Sequence, residues 1–436
     1  MPHVALVPFT GLRIKEKEML DLGMSLPSLR NRGADIAHLP ALGLLTLAGL
    51  TPEHWTQSYH EAEADADGLF DQIVACNPTL VAISALTATI NEAYALAKKI
   101  RSAGIPVVLG GLHATACPAE VQRHCDAVVV GEGESVWLEL LADVEAGTLK
   151  SIYQASAPFD LGTSPVPRFD LLPPGTRPRM TLQTQRGCPF ACDFCGASRL
   201  LGPFREKPTA AIENELRAMM QSGSSRLLEL ADDNTFAGKR DWTQLFELFA
   251  RYKIRYFTEV DWRIGEDPKL LRALAASGCI QVLVGVESLV HPHTGMGLKT
   301  TSIHRVMDAI ASIQAHGIAV TGCFIVGSDG ETEQSIDELG AFLLQTDLAD
   351  IQLTLLTPFP GTALYRRLKK AGRILTDRDW SHYTLFDATY QPDQMSVLEL
   401  ERSFRDLVRH VFEYNAVTKR ARIKEGILRK HFEICG

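Results

Sequence analysis

The stretch RGCPFACDFCG, from Arg186 to Gly196, carries three cysteines in a C-x3-C-x2-C array. Cys188, Cys192 and Cys195 stand on a loop that is punctuated by glycine and proline. This spacing suits an iron–sulfur cluster held by three thiolates, which leaves one iron without a protein ligand. A structural zinc site fits less well because it needs four ligands, and the next cysteine in the chain is Cys279. A disulfide is disfavoured because the chain shows no secretory signature. The array therefore predicts a cluster with one iron open to chemistry.

Strand-like and helix-like segments alternate on both sides of this loop. Residues 1–150 contain five strand-like runs, VALVPF, WTQSYHEA, LVAISAL, VVLGG and AVVVGEG, separated by helical segments. This α/β alternation is typical of a doubly wound parallel sheet of the flavodoxin or Rossmann type. Six more strand-like runs follow, from MTLQTQRG at Met180 to IQLTLLTPF at Phe359. Six strands predict a partial (β/α)6 barrel instead of the closed eight-stranded form.

Two further segments depart from the alternation. Six prolines between residues 151 and 178 predict an extended linker. From Thr376 the pattern becomes helical, and Ser396 with Glu399 forms a capping box at the start of an apolar stripe. We expect this tail to pack on the barrel and to cover or shape the site. The four predicted regions are residues 1–150, 151–178, 179–375 and 376–436.

Composition and charge are those of a globular protein. The 436 residues are 46% hydrophobic and carry a net charge of −8, which gives no overall indication of a nucleic-acid surface. No apolar run reaches the length of a membrane span, and the N-terminus MPHVALVPF has no signal-peptide pattern. Nine cysteines without a paired pattern fit a reducing compartment. We therefore expect a cytoplasmic protein with no nucleic-acid partner and no membrane span.

With Phe194 directly before the third cysteine, the array resembles that of the radical S-adenosylmethionine (SAM) enzymes. The resemblance implies that the open iron of a 4Fe–4S cluster chelates the amino and carboxylate groups of SAM. It also implies that one electron from the cluster splits the sulfonium and releases a 5'-deoxyadenosyl radical. An electron donor of flavodoxin or ferredoxin type is implied as a partner.

The first 150 residues resemble the cobalamin-binding domain that precedes many radical SAM domains. Ser84-Ala85-Leu86 matches its S-x-L element after the third strand, and glycine-rich elements follow the fourth and fifth strands. In that family these elements line the slot for the nucleotide tail and the corrin edge. The alternative is a generic flavodoxin-like fold whose glycines serve only turns. The implied cobalamin contacts are Ser84, Leu86, Thr87, Gly110, Gly111, Gly131, Glu132 and Gly133.

One element of some cobalamin proteins is missing. The D-x-H-x-x-G sequence, whose histidine binds cobalt there, does not follow the first strand, because Asp35 and His38 have the wrong spacing. We therefore expect the dimethylbenzimidazole tail to be displaced toward Ser84 and Gly110, with no protein imidazole below the cobalt.

Strand ends in the second half resemble the SAM-contacting elements of the family. Asp232-Asp233 resembles the acidic element that meets the SAM amino group, although these carboxylates could instead cap a helix. Arg263 could pair with the ligand carboxylate or form a surface salt bridge. PFPGT, residues 358–362, resembles the loop that faces the substrate. The implied SAM contacts are Phe194, Asp232, Asp233, Arg263, Glu287, Ser288, Gly322 and Gly327.

Together these resemblances imply a cobalamin-dependent radical SAM enzyme that methylates an unactivated carbon. A second reading keeps both cofactors but ends in cyclisation, ring contraction or oxidation. A third is a non-catalytic cobalamin or redox sensor, which is disfavoured because a sensor needs no SAM-contacting elements. The substrate is expected to be a small molecule such as a natural-product, lipid or tetrapyrrole intermediate. No catalytic side chain beyond the cluster cysteines can be named from the sequence.

Overall fold

The structure, a computed structural model, describes residues 1–9, 15, 17–19, 39–61, 66–172, 177, 179–196, 200–223, 225–289 and 302–435. The residues Asp35 and His38 lie outside this set, so the expectation about the cobalt ligand is not addressed by the fold. Three prolines of the predicted linker, Pro173, Pro174 and Pro178, lie outside it as well.

The first sheet is parallel throughout and has the strand order β2-β1-β3-β4-β5-β6. This confirms the doubly wound class, because buried parallel strands such as Val4–Phe9 need helices on both faces. Its strands are β1 His3–Phe9, β2 Thr56–Tyr59, β3 Leu80–Ala85, β4 Val107–Gly110, β5 Ala127–Val130 and β6 Ile152–Gln154. Its helices are α1 Leu42–Leu50, α2 Ala66–Ala75, α3 Ile90–Ser102, α4 Leu112–Ala116, α5 Pro118–Val121 and α6 Trp137–Ala146.

The prediction of five strands in this sheet is wrong by one. Strand β6 pairs in parallel with β5 and lies inside the stretch that the prolines marked as linker. It has three residues, of which only Tyr153 is buried, and the Tyr153 hydroxyl donates to Asp143 at 2.7 Å. A strand with one buried side chain has no periodicity that a sequence can reveal.

The second sheet is also parallel, with the order β14-β13-β12-β11-β10-β7. These are the six expected strands, which confirms the partial barrel. A two-stranded antiparallel ribbon, β8 with β9, frames the cysteine loop. The strands are β7 Met180–Leu182, β8 Gln185–Arg186, β9 Arg205–Glu206, β10 Leu227–Leu230, β11 Arg255–Val260, β12 Cys279–Glu287, β13 Ala319–Val326 and β14 Asp350–Leu355. The helices are α7 Thr209–Gln221, α8 Thr243–Arg251, α9 Pro268–Ala276, α10 Ile303–Ala315, α11 Glu333–Gln345 and α12 Ala363–Lys370.

The C-terminal region is helical only from Val397. Helices α13 Val397–Val411 and α14 Tyr414–Cys435 close the chain, and α13 begins at the expected capping box of Ser396 and Glu399. Residues 376–395 instead form irregular chain with a single 3-10 turn at Trp380–His382. Their aromatic side chains pack inward, because Tyr383 and Tyr390 are 2% and 1% exposed. The region boundaries themselves stay predictions.

The helices of the described residues give no candidate for a bilayer-crossing segment, since none is both long enough and apolar enough.

Candidate cofactor site

A cavity of about 390 Å³ lies at the carboxyl end of the second sheet. All three cysteines of the array line it, together with residues from the ends of β10, β11, β12, β13 and β14. Ligand sites in parallel β/α folds form at this edge, because loops from successive strands converge there. Polar side chains in its wall include those of Asp233, Asn234, Glu259, Glu287, Gln352 and Thr354.

The cysteine loop is held from its outer side. The Leu364 amide donates to the Asp193 carbonyl at 3.0 Å, and the Arg263 guanidinium lies 4.9 Å from the centre of the Phe190 ring. On the cavity side the Asn234 side-chain amide donates to Cys188 Sγ at 3.7 Å. These contacts leave the three thiols facing the cavity.

The spacing of the three thiols does not suit a single zinc ion. Zinc bound by cysteines holds their sulfurs about 3.8 Å apart in a tetrahedron. In the described residues, the one group of three metal-binding donor atoms within 4.8 Å of one another is His113, Cys117 and Glu120, not the array. Wider spacing is what a multi-iron cluster with separate corner irons requires.

Of the two neighbouring carboxylates Asp232 and Asp233, Asp233 lines the cavity and Asp232 does not. Asp232 is 3% exposed and accepts hydrogen bonds from the Thr184 amide at 2.8 Å and the Thr184 hydroxyl at 2.5 Å. It therefore ties the end of β10 to the chain that enters the cysteine loop. Burial, and then the charge of Asp232, raise the pKa of Asp233 to about 6.

Glu287 faces the cavity from a strained backbone. Its φ is +70°, and the pairing of β12 with β13 shifts register just before it. Left-handed backbone at a non-glycine residue costs energy and is held only by surrounding structure. Gly285 leaves room for the Glu287 carboxylate in this position, because a Cβ there would overlap it.

Several residues implied in SAM binding are not brought to the cavity. Arg263 pairs with Asp261 at 2.6 Å and stacks on Phe190, so it supports the loop. Ser288 donates to Glu331 at 3.0 Å, and the Gly327 amide donates to the same carboxylate at 2.7 Å.

Gly322 lies on the opposite face of β13, where a Cβ would stand 3.0 Å from Leu348 and Phe324. Cys323 and Ile325 occupy the cavity face instead, because successive side chains of a strand alternate. The sequence reasoning missed Cys323 and Gln352, whose side chains approach each other at 3.7 Å. The alternation of side chains along β13 and β14 would have identified them.

A second cavity, of about 580 Å³, lies between the carboxyl end of the first sheet and the start of the second. Its lining includes seven of the eight implied cobalamin contacts; the eighth, Thr87, lines the first cavity. Gly111 has φ +96°, and a Cβ there would lie 2.9 Å from Ser84 Oγ and from the Ala85 carbonyl. The glycine is therefore required by the close approach of two strand ends.

The two cavities adjoin each other. Leu86, Leu112 and Leu200 line both of them. Leu86 directly follows β3, Leu112 begins α4, and Leu200 lies in the chain after the cysteine loop. The shared wall is therefore apolar and built from both halves of the protein.

Comparisons with known proteins divide the chain in the same way. The B12-binding domain model matches residues 37–141, and the radical SAM superfamily model matches residues 182–343. The chain therefore carries a radical SAM domain. Its B12-binding domain precedes the radical SAM domain, which confirms the expected cofactors: a 4Fe–4S cluster, SAM and cobalamin.

Relatives and solved structures share this arrangement. The bacteriochlorophyllide d C-12(1)-methyltransferase of Chlorobaculum tepidum is 29% identical over 351 residues, which are 78% of this chain and 76% of that protein. The cobalamin-dependent SAM radical enzyme OxsB, with aqua-cobalamin and SAM bound, superposes with a TM-score of 0.68 at 15% identity. That match covers 92% of this chain and 66% of the OxsB chain. The radical SAM methyltransferase TsrM of Kitasatospora setae, with cobalamin and a 4Fe–4S cluster bound, gives 0.62 at 16% identity, covering 93% and 85%.

An ion-pair cluster joins the B12-binding domain to the radical SAM domain. Glu132 accepts from Arg186 at 2.5 Å and, through both oxygens, from Arg205 at 2.9 Å. Glu134 accepts from Arg186 at 2.7 Å. Burial alone would raise the pKa of Glu132, but hydrogen bonds from Arg205, the Phe159 amide and Arg186 outweigh it and lower that pKa. The cluster, which we call the interdomain clamp, is Glu132, Glu134, Arg186 and Arg205.

A second link between regions is formed around the buried residue His113. His113 is fully buried, and its Nδ1 lies 3.2 Å from Thr87 Oγ1. Its Nε2 lies 3.6 Å from Glu120, which also accepts from the Trp380 indole at 2.8 Å. The first sheet is therefore tied to the C-terminal region as well as to the cysteine loop.

Proposed function

We propose that this protein is a cobalamin-dependent radical SAM methyltransferase that acts on an unactivated carbon of a small molecule. The observation that carries the proposal is the common wall of the two cavities, formed by Leu86, Leu112 and Leu200. When bound, the cluster would supply the electron that cleaves SAM, and cobalamin would supply the methyl group.

The chain's own residues divide the work of binding. Cys188, Cys192 and Cys195 would hold the cluster as thiolates. The Asp233 carboxylate, ionised above about pH 6, would accept hydrogen bonds from the SAM amino group that the open iron binds, and Glu287 would accept hydrogen bonds from the ribose hydroxyls. The apolar shared wall excludes water from the space between the cofactors, which protects a reactive radical from side reactions.

The substrate proposal rests on the outer lining of the first cavity. Phe359, Pro360, Tyr383 and Leu385 present aromatic and apolar surface there, while Gln352 and Thr354 offer hydrogen bonds from β14. Such a lining suits a flat or ring-shaped apolar molecule with a few polar groups. We propose a tetrapyrrole, lipid or natural-product intermediate, which is consistent with the bacteriochlorophyllide relative.

The setting that we propose is the reducing cytoplasm, with a flavodoxin- or ferredoxin-type protein as electron donor and no nucleic-acid partner. In the described residues the cysteines with described side chains form no disulfide, and thiolate ligands must stay reduced to bind iron.

The test uses reconstituted protein with cobalamin, under anaerobic reducing conditions, and SAM labelled in its methyl group. We expect label on the bound cobalamin with an equal amount of S-adenosylhomocysteine, and slower release of deoxyadenosine. Adding an apolar ring substrate should move the label to that molecule. The Cys192→Ala variant should fold normally and release no deoxyadenosine, whereas Cys323→Ala, in the same cavity but outside the array, should keep its iron.

The three readings give different outcomes. Deoxyadenosine without methyl transfer would favour cyclisation or oxidation. Neither product from fully loaded protein would favour a sensor, and normal turnover by Cys192→Ala would contradict the radical mechanism.

A further inference from the structure

A short helix beside the cysteine loop is strongly basic. The sequence ALYRRLKKAGR, residues 363–373, contains five cations and no carboxylate, in a chain whose net charge is −8. Arg366, Lys369 and Lys370 are exposed on helix α12. Helix α12 therefore presents positive charge beside the cysteine loop of a protein that is negative overall.

This helix touches the loop that carries the cluster cysteines. Asp193, which stands between Cys192 and Cys195, accepts the Leu364 amide through its carbonyl and Arg367 Nη2 through its carboxylate, both at 3.0 Å. The first turn of α12 thus lies against the outer side of the loop, and the remaining turn extends its cations along the surface.

Two aromatic side chains border the basic helix. Tyr365 and Trp380 are half-buried, with ring centroids 6.2 Å apart. Trp380 lies 4.9 Å from the ring of Tyr383, which lines the cavity of the cluster cysteines. Aromatic residues and arginine are the types enriched at the centres of protein–protein interfaces.

Not all of the charge on this surface is neutralised within the protein. Asp329 pairs with Arg367 at 2.9 Å and with Arg373 at 2.6 Å, and Asp193 pairs with Arg367. Arg366 donates to the Gly361 carbonyl, and Lys369 lies 5.6 Å from the centre of the Tyr365 ring. Neither contact adds a negative charge, so these cations and Lys370 leave a positive field outside the cluster loop.

We propose that helix α12 with Tyr365 and Trp380 is the docking surface for a small acidic flavoprotein of flavodoxin type that reduces the cluster. The proposal rests on the proposed function, because only a redox-active cluster needs such a partner. One electron leaves the partner's reduced flavin and one enters the cluster; no bond is made or broken. The exposed edge of a flavin ring is aromatic and suits Tyr365 and Trp380, and an acidic rim suits the cations.

Charge, together with the contact between α12 and the cysteine loop, explains why this surface is used. A protein with a net charge of −8 repels an acidic partner at long range. A local positive surface reverses that repulsion where electron transfer must occur, and it raises the association rate most at low ionic strength.

The experiment compares two charge reversals of equal size. The test variant combines Lys369→Glu and Lys370→Glu, and the control combines Arg429→Glu and Lys430→Glu on α14. Arg429 and Lys430 are exposed on α14. The next residue of that helix, His431, lies against Gly317 just before β13, at the sheet edge opposite the cysteines. Both variants change the net charge equally.

Two readouts are taken with cluster-loaded protein. The first is direct binding of an acidic flavodoxin in its hydroquinone form, measured at low and high salt. We expect the affinity for flavodoxin to fall roughly tenfold or more in the α12 variant, because electrostatic steering by a charged surface changes association rates by about tenfold or more. The affinity of the control variant should stay unchanged. The second is deoxyadenosine formation driven by flavodoxin or by dithionite, which needs no docking. Only the flavodoxin-driven rate of the α12 variant should fall.

Unchanged flavodoxin affinity in the α12 variant, or an equal loss in the control, would overturn the proposal. An equal fall in the dithionite-driven rate would also overturn it, because the substitutions would then act on the cysteine loop itself. Binding of an acidic ferredoxin with no binding of flavodoxin would refute the choice of a flavoprotein. Salt-sensitive, α12-dependent binding without any deoxyadenosine would keep the docking surface and reject the proposed function.

Discussion

Asp233 is the residue through which pH should act on the SAM cavity. Burial and the neighbouring Asp232 raise its pKa to about 6, so the carboxylate is ionised above that pH and neutral below it. The neutral carboxyl group is a weaker acceptor than the carboxylate for the N–H groups of the SAM amino nitrogen.

We predict that SAM affinity is constant above about pH 7 and falls as pH decreases through 6, by up to about tenfold per pH unit. Asp233→Asn should lower the affinity at neutral pH and remove this pH dependence. The measurement is a calorimetric titration of the cluster-loaded protein with SAM between pH 5.5 and 8. A wild-type affinity that stays flat across this range would show that Asp233 does not meet the ligand.

Gly111 gives a second prediction at the scale of the residue. Gly111 and Gly104 both have positive φ, so Ala at either position strains the backbone, and the strain is greater at Gly111 because its ψ of −173° places it in a region that essentially only glycine adopts. At Gly104 a Cβ would meet nothing within 4 Å, whereas at Gly111 it would lie 2.9 Å from Ser84 Oγ and the Ala85 carbonyl. Gly111→Ala should therefore weaken cobalamin binding, while Gly104→Ala should lower only the thermal unfolding temperature. Equal cobalamin binding by the two variants would contradict the role assigned to the Gly111 turn.

At the scale of secondary-structure elements, the loop after β5 and the ribbon of β8 and β9 meet through the interdomain clamp. The Glu132 and Arg205 side chains are 10% and 18% exposed, so their attraction is screened less than that of a surface pair. Glu132 also lines the cobalamin cavity, and Arg186 stands two residues before Cys188. The clamp therefore links the walls of both sites.

We predict that Glu132→Gln loosens the clamp, because a neutral amide cannot balance two buried guanidinium groups. Cobalamin should be lost during gel filtration, while the iron content stays close to that of the wild type. The matched control is Asp170→Asn, which removes the ion pair between Asp170 and Arg168. The side chains of Asp170 and Arg168 are 59% and 42% exposed. Exposed pairs contribute about 0–1 kcal/mol, so the control should retain cobalamin. Retention by both variants would mean that the clamp does not shape the cavity.

For the molecule as a whole, the sequence predicted the architecture better than the individual contacts. Long buried strands such as β1 and β12 indicated the two sheets, and the cysteine array located the site. The three-residue strand β6 gave no periodic signal. The family resemblance assigned Arg263 and Gly322 to SAM binding from their positions in the sequence alone. Which side chain reaches the cavity depends on its partners and on the face of the strand. Arg263 pairs with Asp261, and Gly322 lies on the face of β13 that points away from the cavity.

The central claim is that a cluster and a cobalamin occupy adjoining cavities that share one apolar wall. The most direct test is the electron paramagnetic resonance spectrum of the cobalt(II) form before and after the cluster is reduced. We predict that reduction broadens or splits the cobalt signal through magnetic interaction across the wall of Leu86, Leu112 and Leu200, and that the Cys192→Ala variant shows no such change. The same spectrum should lack splitting from an axial nitrogen. A cobalt signal with nitrogen splitting that is identical with and without a reduced cluster would contradict the account.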